Sequence, residues 1–528
     1  MRIKTTILFG LLPIAMASYA TAAVLPAHQS SNLWYTDAAS ITAAKAAAAT
    51  PGAKAKNVIL FVGDGMGVST LTAARILQGQ ENGQLGEEGY LSFETFPHTA
   101  LVKTYNVDAQ TPDSAGTMTA MMSGVKSDAG VLGVSENIER GVCSTVSGNE
   151  LITAIELAEI KGMATGIVST ARITHATPAA AYAKSADRNW EDDGDMPAAA
   201  KTAGCEDIAS QLVNFEPNLE ARIAGADVDG LDVVMGGGRR SFLPKDAAFN
   251  SNDALSAVEG DRTDGRDLTA EWKTRYPAGR YVIDQAGFDA VDTSTTTKLF
   301  GLFNESHMQY EADRGNDVAG EPSLTEMTSK AIAILKQNNN GYLLVVESGR
   351  IDHGHHAGSA YSALTDTIEL ASAVQAAVDA TNPEETLILV TADHSHVFTI
   401  AGYPKRGNPI LGKVINVDDT SAVAADGMPY TTVGYSNGLG FHDLGTETDA
   451  EAVYSAGIQA GRADLSGVDT EASGFHQEAL VPLASETHAG EDISLHARGP
   501  GSQFVRGVVE QNLVFHVINQ ALDLLASE

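Results

Sequence analysis

The chain has 528 residues, with 34 Lys+Arg against 67 Asp+Glu, a formal net charge of −33 and two Cys. So large an excess of acid repels phosphate backbones and anionic lipid surfaces, which excludes a nucleic-acid binder working by general electrostatic attraction. Two Cys exclude a thiolate zinc site, and 43% hydrophobic residues exclude a mostly disordered chain.

The first segment carries Arg2 and Lys4, an apolar stretch from Ile7 to Ala17 and the small-residue pattern Ala20-Thr21-Ala22. It reads as a secretory signal peptide over 1–22, cleaved near Ala22 and too short to span a bilayer. The remainder, 23–528, reads as one domain bound for the periplasm or the exterior, with no membrane anchor. Its C-terminal stretch, Leu513 to Glu528, reads as an amphipathic helix ending in acid. Export permits a disulfide between Cys143 and Cys205 across a loop of roughly 60 residues, the alternative being two separate buried thiols.

Ala38 to Ala49 is Ala-rich and helical in character until Pro51-Gly52 breaks it. Continuous apolar runs then recur at Asn57 to Val62, Ala164 to Val168, Leu231 to Met235, Tyr342 to Val346 and Thr386 to Val390. Such runs form strands buried on both faces. Helix-like stretches lie between them at Asn149 to Lys161, Ser323 to Gln337 and Ala360 to Ala380. This alternation predicts an α/β fold, a three-layer α/β/α sandwich around a large, mostly parallel sheet. Residues 239–304 and 401–487 lack clear buried strands and read as peripheral insertions.

In parallel sheets chemistry gathers at the carboxyl ends of the strands. Three predicted strands each deliver carboxylates or imidazoles there: Asp64 after the first, Glu347, Asp352, His353 and His356 after the fourth, Asp393 and His394 after the fifth. Asp and His together are what a divalent cation needs when thiolates are absent. Asp352 and His356, four apart, share a side if the segment turns helically after Gly349. Another His stands at position 488. Ser114, in Thr111-Pro112-Asp113-Ser114-Ala115-Gly116-Thr117, precedes a plausible helix. On that stretch alone capping is the ordinary role for such a Ser, and a hydroxyl ionised by a metal is the functional alternative.

The strings FVGDGMG (61–67), TPDSAGT (111–117), TARITHATPAA (170–180), DRNW (187–190), VMGGGR (234–239), ESGRIDHGHH (347–356), TADHSH (391–396) and THAGED (487–492) resemble alkaline phosphatases, in that family's order and across nearly the whole mature chain. The resemblance implies two zinc ions and one magnesium ion per chain. It implies Ser114 as a nucleophile that becomes phosphoserine, and Arg188 as the guanidinium that clamps phosphate, oriented by Asp113. Asp352, His356 and His488 match the ligands of one zinc, Asp64, Asp393 and His394 those of the second, and Asp64, Thr177 and Glu347 those of magnesium. His175 matches a position beside magnesium, read as outside its direct ligands, and His353 a contact to phosphate through water. His355 and His396 have no assigned role.

The function implied is hydrolysis of phosphate monoesters at alkaline pH by a homodimer, with 401–487 as a crown-like or dimer-contact region. A phosphodiesterase or sulfatase of the same superfamily is the alternative. It is disfavoured by the Asp113-Ser114 and Arg188 contexts, and because neither Cys lies in a Cys-x-Pro-x-Arg context.

Overall fold

The computed structural model describes residues 25–48 and 54–525. The signal-peptide segment at 1–22 lies outside the described residues. Among those residues no helix is long and apolar enough to cross a membrane.

Ten strands form one sheet: β1 (Asn57–Gly63), β2 (His98–Lys103), β3 (Ala164–Arg172), β4 (Val233–Gly237), β5 (Arg280–Val282), β6 (Leu299–Leu302), β7 (Tyr342–Ser348), β8 (Thr386–Ala392), β9 (Ile493–Arg498) and β10 (Gly507–Glu510). Their spatial order is β10-β2-β9-β8-β1-β7-β3-β4-β6-β5. β9 alone runs against its neighbours β8 and β2; the other pairings are parallel. All seven residues of β7 and of β8 are buried, as a parallel sheet covered on both faces requires. Helices Leu324–Leu335 and Ala360–Ala380 pack on each other, and helix Leu513–Leu522 covers β1 and helix Ser114–Ser123.

All five sequence-predicted strands form, each ending one or more residues beyond its apolar run. The reading of 239–304 as wholly peripheral is corrected: β5 and β6 arise inside it and extend the main sheet, with Leu299 opposite Val233 and Arg280 opposite Leu299. β6 is only Leu-Phe-Gly-Leu, too short to stand out as an apolar run, yet all four residues are buried. β2 escapes detection for another reason, because its residues alternate between exposed and buried as those of strands near a sheet edge do.

Residues 401–487 build small sheets. Val433–Gly438 pairs with Phe398–Ile400 and Ala479–Pro482, and His442–Asp443 with Phe475–His476. This region is tied to helix Val68–Glu81 through Gln80, whose amide donates to Asn408 O at 2.8 Å and accepts from Ile410 N at 3.0 Å. Cys143 and Cys205 are joined in a disulfide. It packs on a buried cluster that includes Ala186 and Trp190, which flank Arg188 two residues away on either side in sequence.

Candidate active site

Register fixes where the chemistry gathers. β1 pairs with β7 so that Val62 lies opposite Glu347 and Gly63 opposite Ser348, and with β8 so that Gly63 lies opposite Ala392. The residues next in line, Asp64 and Asp393, therefore leave the sheet side by side at its carboxyl edge, with Glu347 one strand away. After Gly349 the chain turns into helix Arg350–His356, which puts Asp352 and His356 on one side, as their spacing predicts. His488 arrives from the far end of the sequence, in a two-residue strand paired with Ser395–His396.

Three groups of ligand-type atoms converge among the described residues: Asp352, His356, His396 and His488; Asp64, Asp393 and His394; Asp64, His175 and Glu347. The donor chemistry of the first group calls for a cation. His356 Nδ1 lies 2.6 Å from Glu486 O, and His488 Nδ1 lies 2.8 Å from Pro112 O. A carbonyl only accepts, so each Nδ1 carries the proton and each Nε2 is bare. Those two bare nitrogens face each other at 3.1 Å, and each lies 3.3 Å from Asp352 Oδ1. Three lone pairs aimed at one another repel unless a positive ion sits among them.

The other groups show the same need. Burial, reinforced by Asp393, Asp352 and Glu347, pushes the Asp64 carboxyl well above its ordinary range, and burial brings Glu347 up to about 8. Burial likewise drives His394 and His175 well below the usual imidazole range, and His356 to about 4. Neutral imidazoles are the ligating form, and crowded carboxylates are what a divalent charge would ionise. Glu347 Oε1, His394 Nδ1 and His175 Nδ1 are buried without hydrogen-bond partners. The residues present fit divalent metal ions.

Ser114 is the first residue of helix Ser114–Ser123, and the cap is Asp113, whose Oδ1 accepts from Gly116 N at 3.2 Å. The ordinary capping role is thus filled by the neighbour and Ser114 is free for other work. Its Oγ lies 3.0 Å from His394 Nε2 and 3.4 Å from Asp64 Oδ1. Asp113 also accepts from Gly130 N at 2.9 Å and, through Oδ2, from Arg188 Nη1 at 3.0 Å. Burial alone would raise the Asp113 carboxyl; Arg188 and the two backbone N–H groups outweigh it and hold it below its ordinary value. Arg188 Nη2 reaches His175 Nε2 at 3.0 Å. Thr177 Oγ1 donates to Asp64 Oδ2 at 3.4 Å. His353 takes Arg350 Nη1 at Nδ1, 3.0 Å away, and its ring lies 5.5 Å from that of His175. All the residues singled out from sequence, apart from the two Cys, therefore belong to one connected cluster.

Three further participants were not singled out, and His396 had no assigned part. His396 bridges Asp352 Oδ1 at 2.7 Å and Glu486 Oε2 at 2.6 Å. Burial would lower its pKa, but the two carboxylates win and raise it to about 10. It therefore holds Asp352 as a charged donor on both nitrogens. Ser169 donates to Glu347 Oε2 across the β3–β7 pairing. Gly65 adopts φ +69°, and a Cβ there would stand 2.3 Å from His396 Nε2. The signals were faint: Glu486 directly precedes the THAGED string, and Gly65 lies inside FVGDGMG.

Gly65→Ala combines a left-handed backbone with that clash, a strain of about 1–3 kcal/mol. We expect it to push His396 off Asp352 and lower metal content and turnover together. Wild-type metal content and rate in this variant would show that the close approach is dispensable.

A family model described as alkaline phosphatase matches residues 55–524. The chain is 45% identical over 470 residues to the tissue-nonspecific alkaline phosphatase of Gallus gallus, covering 88% of this chain and 84% of that one. It is 42% identical over 470 residues to the alkaline phosphatase of Gadus morhua, covering 89% and 92%. Among solved structures, the alkaline phosphatase of Thermus thermophilus shares the fold, with a TM-score of 0.60 at 24% identity over 90% of this chain and 92% of that one.

Proposed function

Since the chain belongs to the alkaline phosphatase family and is accordingly a phosphomonoesterase that uses divalent metal ions, we propose how its residues divide the work. Ser114 is the nucleophile and Arg188, steadied by Asp113, grips the phosphate. Asp352, His356 and His488 hold one zinc ion and Asp64, Asp393 and His394 a second. Asp64, Thr177 and Glu347 hold magnesium, with His175 beside them and His353 reaching phosphate through water. Cations so held would stabilise charge on the oxygens of the reacting group and favour the ionised form of a nearby hydroxyl.

The observation that carries this reading is the place of Ser114. It opens a helix whose N–H groups suit an anion, against His394 and Asp64, with Asp113 next in sequence gripping Arg188. Ser114 Oγ gives up its proton to solvent and bonds to phosphorus as the ester oxygen leaves from the opposite side and is protonated by solvent. Arg188 presents two N–H groups to nonbridging oxygens in the fork geometry that a lysine lacks. A water then attacks the phosphoserine, returning the Ser114 hydroxyl and releasing inorganic phosphate. A diester carries a substituent where this pocket offers donors. A sulfatase whose formylglycine is made from Cys needs a free Cys, and both are in the disulfide.

Acid quenching during turnover of excess aryl phosphate, followed by digestion and mass spectrometry, tests the assignment. Phosphate is expected on the peptide containing Ser114. Covalent phosphate on a different residue, with turnover intact, would overturn it.

We also propose that 1–22 is a cleaved export signal leading to a periplasmic or secreted location. The rest, 23–528, is read as one functional unit working as a homodimer. Contacts through 401–487 are supported by Tyr403, Val417 and Leu480, each more than four-fifths exposed. N-terminal sequencing and light scattering check both; a single-chain mass in solution would count against the dimer.

A further inference from the structure

Arg188 is held at its tip by Asp113, but a guanidinium on a loop also needs its backbone fixed. Three residues further on, Glu191 is gripped by Arg172 at the end of β3: Nε donates to Oε2 at 2.8 Å and Nη2 to Oε1 at 2.6 Å. Thr174 Oγ1 adds a third donor to Oε2 at 2.6 Å. Glu191 O also accepts from Ala209 N at 3.0 Å. On its other side Arg172 is backed by His307, whose Nε2 meets Nη1 and whose Nδ1 lies 3.2 Å from the Arg172 backbone nitrogen. Both partners of the Arg172–Glu191 pair are mostly buried, with side chains 13% and 12% exposed. The pair on the opposite flank of Arg188, Arg140–Asp187, is looser at 3.3 Å, with Arg140 46% exposed. Exposed pairs of that kind do little to fix a backbone.

We propose that the Arg172–Glu191 pair, seated by Thr174 and His307, is a positioning clamp that fixes the Arg188 loop to the end of β3, a role that rests on reading Arg188 as the phosphate grip. Neither Arg172 nor Glu191 need touch phosphate. Arg188 already commits one N–H of Nη1 to Asp113 and one of Nη2 to His175, so the second N–H of each and the Nε–H are what remain for the substrate. Those N–H groups point correctly only if the loop stays where it is. A displacement of about 1 Å at such a group can cost roughly 100-fold in rate.

The test is a double-mutant cycle in the metal-loaded, full-length protein. It reads competitive inhibition by inorganic phosphate together with kcat and KM for an aryl phosphate. Glu191→Ala is expected to raise the inhibition constant and KM roughly tenfold, with metal content kept, and Glu191→Gln, which keeps the shape, by less. In an Arg188→Ala background the Glu191→Ala change should shrink to under about twofold, because there is no longer a guanidinium to misplace. An equal fold-change in both backgrounds would make Glu191 merely structural and sink the clamp, as would an unchanged inhibition constant. If Arg188→Ala itself leaves phosphate inhibition unchanged, the reading of Arg188 falls and the clamp falls with it. Glu191→Gln carries the same comparison if the Ala variant does not fold.

Discussion

Ser114→Ala is expected to fold, keep its metal ions and lose turnover of an aryl phosphate by roughly 1,000-fold or more, the scale on which removing a catalytic nucleophile is felt. The fold should survive because the side chain does nothing for it. Asp113 caps the helix, Ala is a better helix former than Ser, and the 2% exposed site loses one oxygen atom. Metal content should survive because the ligand-type atoms of the second group come from Asp64, Asp393 and His394. Loss of rate with melting temperature and metal content unchanged would isolate the chemistry from the scaffold. A variant within about tenfold of the parent would mean that water attacks phosphorus directly.

Asp352→Ala or His356→Ala should remove metal and activity together. Asp352 Oδ1 is the only carboxylate oxygen in the first group, flanked at 3.3 Å by His356 and His488 and at 2.7 Å by His396. Without it, two neutral imidazoles remain beside a His396 that has lost one of its two anionic partners. Such a site holds a divalent ion poorly. Because a ligand at 1,000 times its dissociation constant stabilises a fold by about 4 kcal/mol, the melting temperature should fall as well. The parent protein, stripped by a chelator, should reach the same low stability and recover on adding zinc; the variants should not recover. Glu486→Ala, one contact further out, is expected to weaken metal binding by roughly 10- to 100-fold rather than abolish it. Tight, fully active metal binding by Asp352→Ala would refute this account of the site.

The central strands were legible because burial on both faces leaves an uninterrupted apolar run, as in Tyr342 to Val346. The ligand-type residues were legible because strand ends are fixed points of a parallel sheet. What stayed hidden depends on partners far away in sequence. β2 alternates because it lies near the edge of the sheet, β6 is four residues long, and β9 runs antiparallel, which no local pattern announces. Ser169 becomes relevant only once register sets it opposite Glu347, and His396 only once Glu486 arrives from 90 residues downstream. The exchange of roles between Asp113 and Ser114 turns on a one-residue shift in where the helix begins.

The late arrival of His488 bears on how the molecule matures. Its ring is seated by a carbonyl 376 residues earlier, at Pro112, and it completes a group begun by Asp352. A growing chain shorter than 488 residues lacks part of that group, and closing so long a loop must precede any reward from it. Completion of this group is therefore a late step, whereas every residue of the other two groups precedes position 395. Occupancy of the first group thus doubles as a readout of completed assembly, and a chain stopped short of position 488 would lack His488 for it.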